Sequence, residues 1–286
     1  DRGAVLAALP GLGWLCLFLV VPLGGIAVTA FLSRGELGEV GLPWTLANFR
    51  RLAGWDELGY DPLYPRVFLR TVLLGVGVTA ACLVAALPMA FFLARLGGAG
   101  RAVGLALVVI PFWTNLLVRT YAWQILLGPD GPWAWLGALL GWPGMAALYP
   151  GWGAVFLGAF CDFLPFMVLP VYASVEKVDW TLREAASDLG ASPVRAYRHA
   201  IWPQIVPGVI SGCALVFLPC LGQFVIPELL GGGRVTLLGS LVQQQFGPSR
   251  DWPFGAAAAV VMVGVLAWVV FWMRRRSGPE RGEGAW

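Results

Sequence analysis

Apolar runs of more than 20 residues alternate with short polar stretches along most of this chain. Six are distinct: Leu9–Leu32, Val67–Ala94, Ala102–Leu127, Trp152–Val175, Ile205–Leu230 and Pro253–Met273. About 20 apolar residues in α-helix cross the hydrocarbon core of a bilayer. Lipid offers the backbone no hydrogen-bond partner, so each run is expected to be a helix, which satisfies its own groups. The predicted fold class is all-α: a polytopic membrane protein with six transmembrane helices in one domain over residues 1–286. Outer loops fall at about 33–65, 128–151 and 231–252, and one polar segment at about 177–203 interrupts the pattern differently.

Charge sets the orientation. Arg2, Arg95, Arg101, Lys177, Arg183, Arg195, Arg198, Arg274, Arg275, Arg276 and Arg281 fall on one side of the predicted spans. The other side carries Arg34, Arg50, Arg51, Arg66, Arg70, Arg234 and Arg250, diluted by Glu36, Glu39, Asp56, Glu57, Asp61, Asp130 and Asp251. The richer side is expected to be cytoplasmic, so both termini lie inside a bacterial inner (plasma) membrane. The net charge of +3 is then a topology device and no sign of a nucleic-acid partner. Only 12% of residues are charged, where a soluble domain carries about a quarter. The first run is too long for a signal peptide and lacks a small-residue cleavage site, so it is read as a span. With Asp1 at its head in place of Met, the chain is expected to begin inside a longer natural one.

Catalytic chemistry finds little support. Cys16, Cys82, Cys161, Cys213 and Cys220 all fall inside predicted spans without metal-ligand spacing and read as small packing residues. There is one histidine, His199, and no nucleophile elbow or phosphate-binding loop. No enzyme, metal or cofactor is expected in this chain.

The segment "EAASDLGASPVRAYRHAIWPQIVPG", Glu184 to Gly208, has the syntax of two short capped helices. Thr181 and Glu184 form a T-x-x-E capping box. Gly190 stands where a left-handed residue ends the first helix. Ser192 then caps a second helix with Pro193 at its first position, and Trp202–Pro203 lead into the fifth run. Local physics leaves an ordinary solvated loop equally open.

Glu184-Ala185-Ala186, three residues, Gly190 and, further on, Pro203 resemble the "EAA" loop of ABC importer permeases. That family usually continues Ile, any residue, Leu, Pro; here Ala200, Ile201, Trp202 and Pro203 stand there, and only the proline matches. "IPFWTNLLVRTY", "LPFMVLPVYASVEKVD", "RDWPFGAA" and "DPLY" are similar to its polyamine branch, the B-type permeases of spermidine/putrescine importers. The resemblance implies a type I importer permease fold and a coupling segment that docks on an ATPase subunit. Glu184, Ala185, Ala186, Gly190, Ser192, Arg195 and Pro203 carry that coupling role. It further implies a distinct sibling permease in a heterodimer, an ATPase dimer that binds ATP and Mg, and an extracytoplasmic solute-binding protein. The implied solute is a polyamine, with another amine, an opine or an organophosphorus compound as alternatives.

Charges within a span are expensive and usually face a cavity or each other. Counting 1.5 Å per residue along a straight third span puts Arg119 about 26 Å from the cytoplasmic end, with Glu228 at a similar depth in the fifth. Arg119 and Glu228 are expected to pair as an outer gate or structural bridge. Asp162 lies near the midplane. Asp162 and Glu228 either contact a cationic solute in transit or bond between helices, Arg119 included. Trp113 and Tyr121, with Asn115 beside them, either line the path, where aromatic faces attract ammonium groups, or anchor the helix at the interface. The aromatic-rich outer loops either receive the binding protein or pack on the membrane surface. Pro22, Pro88, Pro111, Pro165, Pro170, Pro219 and Pro227 are expected kink sites. A gradient-driven secondary transporter is the alternative class; it often shows internal repeats, and none is evident here.

Overall fold

The computed structural model describes residues 10–11, 13–35, 40–56, 59–142, 144 and 148–277. Arg2, Leu9, Glu36, Glu39, Glu57 and Arg281 lie outside the described residues, as do the side chains of Arg274 and Arg276. In chain order the elements are α1 (Gly13–Thr29), β1 (Ser33–Arg34), β2 (Val40–Gly41), α2 (Ala47–Leu52), β3 (Trp55–Asp56), β4 (Gly59–Tyr60), α3 (Leu63–Arg95), α4 (Gly98–Trp113), α5 (Leu116–Leu127), α6 (Pro132–Leu139), α7 (Trp152–Glu176), α8 (Thr181–Asp188), α9 (Pro193–Gly222), α10 (Val225–Gly231), α11 (Leu238–Phe246) and α12 (Trp252–Ser277).

Helices α3, α7, α9 and α12 are each long and apolar enough to cross a membrane. The bent run from α4 through α6 supplies a fifth span, and the shorter apolar α1 stands where the first is expected. Two spans depart from the straight rods read from sequence. The third breaks by 92° between Trp113 and Leu116. The fifth ends at Gly222, and Glu228 sits on the separate short helix α10. Both breaks follow a proline, Pro111 and Pro219, each of which removes a backbone donor and crowds the preceding turn. Within α3, Pro88 is accommodated without interrupting the helix.

The chain forms two compact units, Asp1–Leu69 with Leu238–Ala267 and Arg70–Leu237 with Trp268–Trp286. In the first, Phe254 and Ala258 of α12 pack with Leu238 and Leu241 of α11 and with Tyr64, Phe68 and Leu52. Its charged centre is Asp251, only 4% exposed. One Asp251 oxygen receives Arg51 at 2.9 Å and lies 3.7 Å from Arg34, while the other accepts the Phe254 N–H at the start of α12. The Arg51 guanidinium also lies 4.4 Å from the Phe254 ring centroid and donates to the Tyr64 hydroxyl. The Asn48 amide donates to the carbonyls of Ala30 and Leu32, just past the end of α1, where the last carbonyls of a helix lack partners.

The second unit is built on the pairing of α7 with α9. Val155, Met167, Val168 and Val171 of α7 and Ile201, Ile205 and Val216 of α9 are fully enclosed. The close approach depends on Gly208 and Gly212, a G-x-x-x-G pair on one face of α9. A Cβ on Gly208 would strike the Ser174 hydroxyl and lie 2.5 Å from the Pro170 carbonyl oxygen; one on Gly212 would lie 2.7 Å from Met167 Sδ. On α3, Val78, Cys82, Ala86 and Ala90 form a buried stripe one residue per turn, and the Cys82 thiol donates to the Phe160 carbonyl. Cys82 and Cys220 are thus the packing residues expected, whereas Cys16 is exposed.

Gly208→Val is expected to cost at least the ~1–3 kcal/mol typical of overpacking, seen as a lower melting temperature of the purified protein in detergent. Gly222→Ala, where no atom lies within 4 Å of an added Cβ, serves as the near-neutral control. Equal melting of the two variants would refute the close-approach account.

Candidate functional site

The polar segment after α7 folds as a helical hairpin. Its first turn is capped differently from the expected T-x-x-E box: no side chain of the N-cap residue, Trp180, engages the backbone. Instead Asp179 accepts both the Thr181 N–H, at 3.0 Å, and the Thr181 hydroxyl, at 2.7 Å. A carboxylate at the positive end of α8 suits the helix dipole better than a hydroxyl does. At the other end, Gly190 has φ +79° as expected, and Ala191 N–H bonds the Ala186 carbonyl while Gly190 N–H bonds that of Ser187. These two bonds are the Schellman pattern, which reverses the chain within two residues. Ser192 and Pro193 then open α9 in their expected places, but the Ser192 hydroxyl makes no cap bond to the backbone.

The second arm is not a separate short helix. Pro193–Ala196 continue through a wide turn of π-helix, Tyr197–Ile201, directly into Trp202–Gly222. Pro203 has no N–H to give one turn back, and an extra residue in the turn accommodates that loss. Gln204 joins the parts: its amide donates to the Ala200 carbonyl at 2.7 Å and its oxygen accepts the Asp179 N–H at 3.0 Å. The hairpin is thereby tied to the base of α9. Glu184, Ala185, Gly190, Ser192, Arg195 and Pro203 are exposed, and Ala186 is half-buried. The most exposed apolar side chains of the hairpin are Leu189 (89%) and Val194 (77%), on either side of the Gly190 turn. The motif had not singled out either one, nor Gln204. Two apolar residues flanking a helix-stopping glycine were the available signal.

A second set of groups gathers at the broken third span. The Pro111 carbonyl, left free where α4 ends, accepts from the Thr114 hydroxyl at 2.6 Å and from Arg119 at 2.7 Å. The Asn115 side chain accepts the Leu117 N–H and so caps α5. The other Arg119 nitrogen pairs with Asp162 of α7, whose side chain is 10% exposed. The expected Arg119–Glu228 pair does not form; Glu228 is exposed on α10. Straight-helix counting placed Arg119 and Glu228 at one depth, and both helices break between the counting origin and the residue.

Beside this pair lies a cavity of about 590 Å³ whose walls, including Met89, Leu107, Trp123 and Leu164, are apolar except for Arg119. Asp162 is neutralised by Arg119, so the cavity presents no free negative charge to a cation. Asn115 is engaged in capping. Trp113 (84% exposed) and Tyr121 (51%) lie on the outside of the unit. The structure therefore unites Arg119 and Asp162 and leaves Trp113, Tyr121 and Glu228 as separate exposed groups.

Multiple membrane-length helices and a polar hairpin continuous with one of them make this a polytopic helical membrane protein. The family described as "Binding-protein-dependent transport system inner membrane component" matches residues 77–281, and the chain belongs to it. The "Spermidine/putrescine transport system permease protein PotB" of Escherichia coli (strain K12) is 40% identical over 272 residues, 92% of this chain and 94% of that protein. The Haemophilus influenzae protein of the same name is 35% identical over 262 residues, 90% and 88% of the two. A solved bacterial alginate ABC transporter, in complex with an alginate pentasaccharide-bound periplasmic protein, shares the fold at a TM-score of 0.68 and 17% identity, covering 99% of this chain and 97% of that one. The MetNI methionine ABC transporter matches at 0.54 and 17%, covering 76% and 97%. This is a multi-pass ABC importer permease, a transport component and not an enzyme.

Removing one partner of the Arg119–Asp162 pair leaves an uncompensated charge, so Arg119→Met or Asp162→Leu is expected to destabilise by about 3–5 kcal/mol. The double variant is expected to recover most of that loss in a thermal-melting cycle, and neutral single variants would contradict the pairing. For Asp179, the Thr181 hydroxyl and then its N–H hold the carboxyl below the usual carboxylate range. Such a group stabilises the fold above its unfolded pKa and loses that contribution as pH falls through the lowered folded value. Amide-exchange protection at the start of α8 is expected to hold from neutral pH down to about 4 and to fall only below it. Asp179→Ala is expected to lack this protection throughout.

Proposed function

We propose that the chain works as a single permease domain forming half of the translocation path of a polyamine importer, with both termini cytoplasmic. The Thr181–Ile201 hairpin transmits ATP-driven movement. The observation that carries this reading is the unbroken passage of the hairpin's second arm into α9, which also packs tightly on α7. A push on the Gly190 turn cannot be absorbed by a loose joint, because Gln204 and the Schellman bonds close both ends of the hairpin. It moves α9 and α7 together. Leu189 and Val194 supply apolar anchors for a cleft on an ATPase subunit, and Glu184 and Arg195 supply polar contacts around them.

The solute assignment rests on the 40% identity to the spermidine/putrescine permease. The same likeness supports a distinct sibling permease, two ATPase subunits binding ATP and Mg, and an extracytoplasmic binding protein that supplies the solute. Asp162 pairs with Arg119, which supports the inter-helix alternative for it over a contact with a cationic solute. Glu228, Trp113 and Tyr121 remain free to meet a solute or the sibling chain where the two permeases face each other, and exposed aromatic faces attract ammonium groups.

Uptake of labelled spermidine and putrescine into vesicles holding the complete complex is expected to require ATP. Leu189→Asp, or Gly190→Pro, which forces φ near −65° where the turn needs +79°, is expected to cut uptake on the order of tenfold or more, as loss of one or two anchor residues does at interfaces. ATP hydrolysis without polyamine uptake would keep the permease and discard the solute. Uptake that follows an ion gradient and ignores both variants would overturn the coupling assignment.

A further inference from the structure

Behind the hairpin lies a cavity of about 420 Å³ whose walls combine Arg95, the last residue of α3, and Arg183 of α8 with Phe91, Trp180 and Tyr197. The Phe91 ring centroid is 6.3 Å from that of Trp180 and 5.9 Å from that of Tyr197, so the three rings form one aromatic wall. No carboxylate lines this space. Arg34, Arg51, Arg101 and Arg119 each face an acid, whereas no acid among the described residues pairs with Arg95 or Arg183. Arg95 and Arg183 are both exposed and line one cavity without an acid between them, which makes that cavity electropositive. Phosphate is the anion that arginine forks fit best.

We propose that this cavity binds the phosphate of an anionic membrane phospholipid. Depth selects the source. Arg95 ends a membrane-spanning helix, and Phe91 lies one turn inside it, so the cavity stands at the level of the headgroups. Tryptophan and tyrosine side chains favour that zone because one edge is apolar and the other wet. A free phosphate has no use for an aromatic wall, whereas the glycerol and first acyl carbons of a lipid lie against it while the headgroup meets both arginines. Basic pockets at the cytoplasmic ends of membrane helices suit anionic lipids for the same reason. The inference rests on the proposed cytoplasmic placement of the hairpin and adds a lipid contact to it. A bound headgroup adds a charged link between α8 and the end of α3 to the ring contacts that Phe91 already makes with Trp180 and Tyr197.

The test takes the complete transporter in mixed micelles containing equal amounts of phosphatidylglycerol and phosphatidylcholine and measures the lipids retained after purification by mass spectrometry. The wild type is expected to retain phosphatidylglycerol in excess. Arg95→Gln/Arg183→Gln is expected to lower that enrichment on the order of tenfold, from roughly one charge-contact increment per arginine. Arg95→Lys/Arg183→Lys, which keeps both charges, is expected to retain part of the enrichment, and Arg198→Gln, outside the cavity, to retain all of it. Equal retention of the two lipids by the wild type, an unchanged ratio in the double Gln variant, or an equal fall in Arg198→Gln would overturn the site. Displacement of the lipid by inorganic phosphate at low concentration would reassign the cavity to free phosphate and overturn the lipid assignment. This readout needs neither nucleotide nor transport, so its failure leaves the coupling reading standing, while loss of coupling in Leu189→Asp with lipid retention intact removes only the coupling reading.

Discussion

Wherever a helix breaks inside lipid, the backbone carbonyls it releases must find a donor within the protein, because the bilayer supplies none. That requirement accounts for several polar side chains at the helix breaks of this chain. Thr114 and Arg119 both serve the Pro111 carbonyl at the break in the third span. Asn115 caps the helix that starts anew beyond it, and Gln204 serves the Ala200 carbonyl where the π-turn loosens the base of α9. Arg119 cannot stay unpaired once it has entered, so Asp162 follows as its counter-charge. A buried ion pair of this kind is poor evidence of added stability. Its consequence is geometric: Arg119 bonds both the Pro111 carbonyl and Asp162, so the broken third span is tied to α7 at its bend.

The same accounting explains why the hairpin is stiff. Three points of it are closed by a specific partner: Asp179 at the start of α8, the Schellman bonds at Gly190, and Gln204 at the base of the second arm. The G-x-x-x-G face of α9 then holds that helix against α7 at backbone distance. Displacement of the exposed tip therefore moves packed helices as bodies, which tightly packed interfaces favour over gradual deformation. In the coupling role proposed for the hairpin, that mechanical continuity is what would link nucleotide hydrolysis in a partner to the solute path.

In the first unit the ordering centre is Asp251. The string "RDWPFGAA" looks from sequence like a family signature with no stated role. In the fold its aspartate caps α12 and draws Arg51 and Arg34 onto one carboxylate, while its phenylalanine carries the Arg51 guanidinium on its face. Charges that had served only to assign one side of the membrane prove to be structural partners. A chain with few charges still uses several of them in pairs, because pairing lowers the cost of a charge within a span.

The length of the apolar runs alone determined the helical membrane class, because a bilayer penalises any other use of such runs, and the one polar interruption marked the position of the hairpin. The Gly190 turn and the Ser192–Pro193 start were equally legible, since glycine's tolerance of φ > 0 and proline's missing N–H belong to those residues wherever they stand. Pairing was not legible. Nothing local to Arg119 distinguishes Asp162 from Glu228 as its partner; the choice follows from a 92° bend and from the end of α9 at Gly222, both products of packing between segments distant in sequence. The cap at α8 likewise went to Asp179 over the Thr181–Glu184 box, because Gln204, 25 residues away, fixes the Asp179 backbone. Which polar groups meet is a property of the assembled helices, and only the tertiary structure decided it.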